Sequence, residues 1–348
     1  MRADAVAALA ATRTDYLGTS HRQPTVRSVV HRVRVGLAEL FGLPDGYEVL
    51  LGNGGTTAFW DAASFQLIER RSQHLSFGEF SAKFAAVTKA APHLDDPEVV
   101  ESAAGTHPLP IPRPGVDAYA FPHNETSTGV AMAVTRPEGT GGLMLVDATS
   151  AAGGLRVDPS QFDVYYFAPQ KCFGGDGGLW LAACSPAAVA RIEAIAASGR
   201  WTPAFLDLKV ALDNSRLDQT YNTPALATIF LLAHQVEWIN DHGGLEWSAT
   251  RCDQSAEILY GWAESSTVAT PFVAKPDERS HVVATIDFDA AIDANTLAGV
   301  LRANGIVDTD SYRKLGRNQL RIAMFPGIDP ADIEALTRCI DYTIERLA

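Results

Sequence analysis

Between residues 47 and 184 the chain alternates short, unbroken apolar runs with amphipathic or glycine-rich stretches. Six runs read as strands, at 47–51, 73–77, 116–121, 143–146, 164–168 and 179–184. They are rich in β-branched and aromatic residues and mostly lack polar alternation, as strands covered on both faces do. Helical patterns separate some of them, notably 56–71 and 80–89. Strands interleaved with helices predict an α/β fold around a largely parallel sheet.

Past Ser185 the apolar period lengthens to that of helices, at 186–197, 224–240 and 245–265. The first has Ser185 as N-cap and Pro186 at its opening position, where a missing N–H costs nothing. The tail then reads strand 281–288, helix 294–304, strand 319–325 and helix 330–347. That is an α+β unit of about 100 residues, an ordinary domain size. The boundary is expected near 241–244. A large domain would span 16–241, and a smaller one would join 1–15 to 242–348.

A chain of 348 residues accommodates two such domains. With 28 basic and 41 acidic residues its net charge is −13, which disfavours nucleic-acid binding. The longest apolar stretches stop well short of a helical membrane span, so a membrane protein is not expected. Residues 1–11 are alanine-rich, but Asp4 interrupts them and no cleavage site follows, which argues against a secretory signal. Cys172, Cys184, Cys252 and Cys339 are scattered without a CxxC pair, predicting a reduced, cytoplasmic protein with no metal site.

Of six lysines, Lys83, Lys89, Lys209, Lys275 and Lys314 fall on predicted helix faces or exposed loops. Lys171 differs. It follows an apolar strand and Ala168-Pro169-Gln170, and precedes Phe173-Gly174-Gly175-Asp176-Gly177-Gly178. Desolvation at a strand end lowers an amine's pKa and makes it a nucleophile toward carbonyls, although a surface lysine beside a flexible turn has the same pattern. Asp147 ends the run 142–147, where open α/β sheets place ligand contacts. It could protonate a pyridine nitrogen or simply cap the next turn. Asn53-Gly54-Gly55-Thr56-Thr57 lies between a strand and a helix, a weak signal for an anion cradle. Arginines stand out at Ser20-His21-Arg22 and at Tyr312-Arg313-Lys314, with Arg317 reading as surface and Arg321 sitting inside an apolar strand.

Taken together, the motifs GTSHR (18–22), LGNGGTTAFWDA (51–62), FGEFSAKF (77–84), HNETSTG (123–129), VDATSAAGG (146–154), YYFAPQK (165–171), YNTPA (221–225) and SYRKLGRNQLRIAMFP (311–326) resemble, in this order, the phosphoserine aminotransferases of actinobacterial type. These are class V aminotransferases that use pyridoxal 5'-phosphate (PLP). The resemblance covers nearly the whole chain. It implies the fold type I architecture, a large domain with a mostly parallel seven-stranded sheet plus a smaller α+β domain.

Residue by residue, the resemblance makes Lys171 the Schiff-base lysine and Asp147 the partner of the pyridine nitrogen. Phe80 would stack on the ring where many relatives have tryptophan. Thr126 and Gln170 would bond the ring's 3-oxygen region and the phosphate. Gly55 and Thr56 would cradle that phosphate, completed by Asn222 and Thr223 from the second subunit of a homodimer with shared sites. Arg321 would bind the substrate α-carboxylate, and His21, Arg22 and Arg313 the substrate phosphate. The implied reaction moves the amino group of L-glutamate to 3-phosphohydroxypyruvate by ping-pong half-reactions, within serine and pyridoxine biosynthesis.

Two departures accompany the resemblance. Thr56 stands where many bacterial relatives have arginine. The relatives' short leading segment with a Gly-Pro-Ser-like motif has no counterpart before Met1-Arg2-Ala3, so a missed upstream start or a shortened chain is expected. Among rivals, a cysteine desulfurase would carry Ser-x-His-Lys and a stacking histidine, where this chain has Ala168-Pro169-Gln170-Lys171 and Phe80. An alanine–glyoxylate-type aminotransferase and a noncatalytic phosphate- or nucleotide-binding protein are the remaining alternatives.

Overall fold

The computed structural model describes residues 2–347; Met1 and Ala348, the outermost residues of the expected small domain, lie outside it. The chain opens with α1 (Ala3–Thr12) and α2 (Pro24–Leu40), followed by β1 (Glu48–Asn53), α3 (Thr56–Gln66), β2 (Ser72–Ser76), α4 (Glu79–Ala90) and β3 (Glu98–Glu101). Next come β4 (Ala118–Pro122), a two-residue hairpin of β5 (Asn124–Glu125) and β6 (Val130–Ala131), β7 (Leu143–Asp147), β8 (Val164–Phe167) and β9 (Leu179–Cys184). Helices α5 (Pro186–Ala197), α6 (Leu208–Arg216), α7 (Leu226–Asp241) and α8 (Gly244–Ser265) lead into β10 (Ala269–Pro271), β11 (Val283–Phe288), α9 (Ala294–Ala303), β12 (Gln319–Ala323) and α10 (Pro330–Leu347).

Seven strands form the main sheet in the order β1-β9-β8-β7-β4-β2-β3. Neighbours are parallel except that β9 runs against both β1 and β8. Because side chains alternate along a strand, successive residues fill two cores. Leu51, Phe121, Val146, Tyr165 and Leu181 meet α2 and α7 on one face. Leu50, Ala120, Leu145, Tyr166 and Ala182 meet α3, α5 and α6 on the other. A second sheet, β10-β11-β12, packs with α8, α9 and α10 around a third core. No helix among the described residues is long and apolar enough to cross a membrane.

The predicted strands of the main sheet all form, and three features differ for physical reasons. The helix expected over 56–71 stops at Gln66. The three N–H groups of Glu69, Arg70 and Arg71 turn onto the Asp117 carboxylate, each at 2.7 Å, while Arg200 takes the carbonyls of Phe65 and Ile68. Strand β3 was not expected, because it is an edge strand of sequence Glu-Val-Val-Glu with too few apolar residues to announce itself. Helix α6 was also missed, although Asp207 caps it by accepting from the N–H groups of Lys209 and Val210.

Helix α2 buries a stripe at Val26, Val29, Val30, Val33, Gly36, Leu37 and Leu40 against α7. At Gly36 the helices approach so closely that a Cβ would lie 2.7 Å from Val236 Cγ1. Gly36→Val is therefore expected to destabilise the protein by about 1–3 kcal/mol in urea unfolding. Combined with Val236→Ala, it should cost less than the sum of the two single changes. Strict additivity would show that the helices part freely at this point.

Candidate active site

Parallel register brings several chain segments to one edge of the main sheet. Pro122 of β4 pairs with Asp147 of β7, and Asp147 pairs with Tyr166 of β8. The turns that leave these strands carry Thr126, Thr149-Ser150 and Gln170-Lys171, while β1 ends at the same edge in Asn53-Gly54-Gly55. This carboxyl edge is where open α/β sheets bind ligands.

Asp147 is the best-defined group there. Its Oδ2 accepts from Trp60 Nε1 at 3.1 Å, and its Oδ1 accepts from the Thr149 N–H at 2.9 Å and the Thr149 hydroxyl at 2.6 Å. Burial nonetheless dominates and pushes the acid up to about 6, with the nearby Glu125 charge adding to the rise. Asp147 and Phe80 line one narrow cavity, together with His74, Phe84 and Tyr166. Burial holds His74 down at about 3, so its ring is neutral.

Lys171 is held by a tight turn in which the Gly174 N–H bonds to its carbonyl and the Gly175 N–H bonds to the Pro169 carbonyl, both at 2.9 Å. Burial lowers its pKa, and the Arg321 charge lowers it further. Lys171 and Gln170 share a cavity of about 290 Å³ with Gln235 and Phe325. Cys172, next in the chain, is buried with its Sγ donating to the Ser150 carbonyl at 3.2 Å, and burial pushes its thiol well up. That is a packing role.

Gly55 caps α3 without a side-chain acceptor, and a Cβ there would meet nothing within 4 Å. The first turn of α3 thus presents backbone N–H groups toward open space, a geometry suited to an anion. The Thr56 hydroxyl sits 2.8 Å from that of Thr149, which joins the α3 N-terminus to Asp147. Thr126 is buried and donates to Ser150 Oγ at 2.7 Å, where Asn124 Nδ2 also bonds at 2.8 Å.

His21 is 8 % exposed, its Nδ1 lies 3.0 Å from Thr223 Oγ1, and its Nε2 has no partner. The Thr223 carbonyl accepts from Asn53 Nδ2 of the same chain at 3.0 Å, and Asn222 is exposed beside it. Arg321 is half-buried over the Tyr312 ring, 5.4 Å from its centroid, and burial lowers its pKa. It has no carboxylate within ion-pair distance among the described residues. Arg22 and Arg313 are exposed, and neither guanidinium hydrogen-bonds to another site residue. Arg317 pairs with Asp287, as a surface residue would.

Four contributors escaped the sequence reading. Trp60 reaches Asp147 from 87 positions away, Ser150 gathers Thr126 and Asn124, and Glu125 is wholly buried under α4. Thr149 alone had a local signal, since an Asp followed two residues later by an N–H donor is an Asx-turn.

A family profile described as aminotransferase class V matches residues 8–309. A phosphoserine aminotransferase from a Nocardioides species is 62% identical over 343 residues, covering 98% of this chain and 92% of the relative. A putative phosphoserine aminotransferase from Mycolicibacterium vanbaalenii is 58% identical over 348 residues, covering 100% and 94%. Among solved structures, a phosphoserine aminotransferase from Cytophaga hutchinsonii superposes with a TM-score of 0.89 at 24% identity, over 98% of this chain and 94% of that one, a likeness of fold.

The raised pKa of Asp147 ties the stability of the cofactor-free protein to pH. An acid lifted above its ordinary 3.8 to about 6 leaves stability untouched below pH 3.8, where it is protonated folded or unfolded. Stability then falls as pH rises through that window. Asp147→Asn should accordingly match the wild type near pH 4 and exceed it above pH 6, by at most about 3 kcal/mol. Parallel denaturation series at pH 4, 5, 6 and 8 check this, and a constant difference between the two proteins would contradict it.

Proposed function

The chain belongs to the class V aminotransferase family, and from that premise we propose that it moves the amino group of L-glutamate to 3-phosphohydroxypyruvate, giving O-phospho-L-serine and 2-oxoglutarate. The observation that carries this reading is the placement of Lys171 just past β8 and Asp147 at the end of the adjoining β7, in a chain so similar to phosphoserine aminotransferases.

The residues fit PLP. A buried carboxylate with a raised pKa lacks a cation, which a protonated pyridine would supply. The α3 N-terminus offers unfilled N–H donors to a phosphate, and Phe80 shares the Asp147 cavity. When bound, PLP supplies an aldehyde that captures amines and a ring that draws electrons from the substrate α-carbon.

In this reading, Asp147 holds a proton at the ring nitrogen, fixed in orientation by Trp60 and Thr149. Lys171, its pKa lowered by burial and by the Arg321 charge, moves a proton at the substrate α-carbon. Gly55 and Thr56 hold the cofactor phosphate, with Gln170 and, across a homodimer, Asn222 and Thr223. Phe80 covers the ring and Thr126 bonds near its 3-oxygen.

Arg321 has a guanidinium without a carboxylate partner, which suits the α-carboxylate of either substrate. His21 keeps a buried Nε2 free for a phosphate oxygen, joined by Arg22 and Arg313. Three arginines at such a site in a protein of charge −13 favour anionic substrates locally. We place the enzyme in the cytoplasm, where its four free cysteines remain reduced. A desulfurase reading is disfavoured because Cys172 is buried and held as a thiol.

Titrating PLP-loaded protein with O-phospho-L-serine should bleach its visible band, and L-serine should not. Lys171→Ala should reduce transamination by at least about a thousandfold. A band indifferent to phosphoserine, or full activity in the lysine variant, would sink the proposal.

A further inference from the structure

Glu125 is a carboxylate with 0 % exposure that pairs with no cation among the described residues. Its charge is spread instead over donors from two elements. Oε2 accepts from the Ser81 N–H and the Ser81 hydroxyl, both at 2.9 Å, in the first turn of α4. Oε1 accepts from the Ser127 hydroxyl at 2.7 Å and the Ser127 N–H at 3.2 Å, with the Phe80 N–H at 3.5 Å. Ser127 Oγ in turn accepts the Glu79 N–H at 3.0 Å.

Space for this carboxylate is reserved by Gly78, where a Cβ would stand 2.3 Å from Glu125 Cγ and 2.5 Å from its Cδ. A buried charge satisfied entirely by neutral donors fixes those donors in place, because losing any one leaves the carboxylate short of a partner. The α4 donors come from Phe80 itself and its neighbour Ser81, the hairpin donors come from Ser127, and Glu125 itself precedes Thr126.

We infer that Glu125 is a positioning residue for the cofactor: its buried carboxylate ties the α4 turn carrying Phe80 to the hairpin carrying Thr126. The role rests on the proposed use of PLP. A shift of the α4 turn against the hairpin would break the charge-assisted hydrogen bonds from Ser81 or Ser127, the chain neighbours of Phe80 and Thr126. The site is thereby preorganised before any ligand arrives.

Glu125→Gln keeps the shape but turns one oxygen into a donor facing donors. PLP titrated into cofactor-free protein, followed by tryptophan fluorescence, should bind this variant at least about tenfold more weakly, the scale of one lost charge-assisted bond. Ser127→Ala, a milder change in case the first variant does not fold, should weaken binding by about threefold. Gly36→Val, destabilised at a remote helix contact, should bind within about twofold of wild type. Amide exchange at Phe80 and Ser81 in the cofactor-free protein should quicken in Glu125→Gln, a readout that needs no PLP.

Wild-type PLP binding by both Glu125→Gln and Ser127→Ala, with unchanged exchange at Phe80, would overturn the inference. Faster exchange in a protein whose wild type fails to bind PLP would keep the structural tie but overturn the cofactor reading and the positioning role with it.

Discussion

A carboxylate placed inside a protein must find a cation or enough donors to offset its desolvation. In this molecule two such groups stand near each other at the carboxyl edge of the main sheet. Glu125 is satisfied by donors from its own chain, whereas Asp147 has three and is still pushed up to about 6. The imbalance organises the surroundings. Trp60 from α3 and Thr149 from the turn after β7 are drawn to Asp147, and Thr56 joins through Thr149. The α3 N-terminus, the central strand and the pocket wall are thereby one connected unit.

Much of this architecture was legible in local pattern. Strands buried on both faces advertise themselves as unbroken apolar runs, so the strands from β4 to β9 in the main sheet could be read directly, and α5 and α10 have the expected bounds. Lys171 and Asp147 were legible because each sits beside a strand end. What stayed hidden acts over long sequence separations. Trp60 meets Asp147 only once the fold carries α3 against β7. Glu125 meets its donors only once α4 packs above it. Edge strand β3 and short α6 lack the apolar density that makes a periodic signal.

Tyr312 and Lys314 join the loop before β12 to the start of α4. Lys314 pairs with Glu79 at the start of α4, and the Tyr312 ring lies 5.9 Å from that of Phe80 while supporting Arg321. Exposed ion pairs contribute little to stability. Their placement matters more here, since they align the loop bearing Arg313 with the helix bearing Phe80.

The one reversed strand, β9, lies between β1 and β8, and the Gly54 N–H that shapes the α3 turn bonds to the Gly178 carbonyl at its entrance. Roughly 130 residues separate β1 from this partner, so on a ribosome adding about 5–20 residues per second the first strand waits on the order of ten seconds for its neighbour. Until then β1 is an apolar edge open to mispairing. The anion cradle is also unfinished, and a nascent chain lacks this site until β9 has emerged.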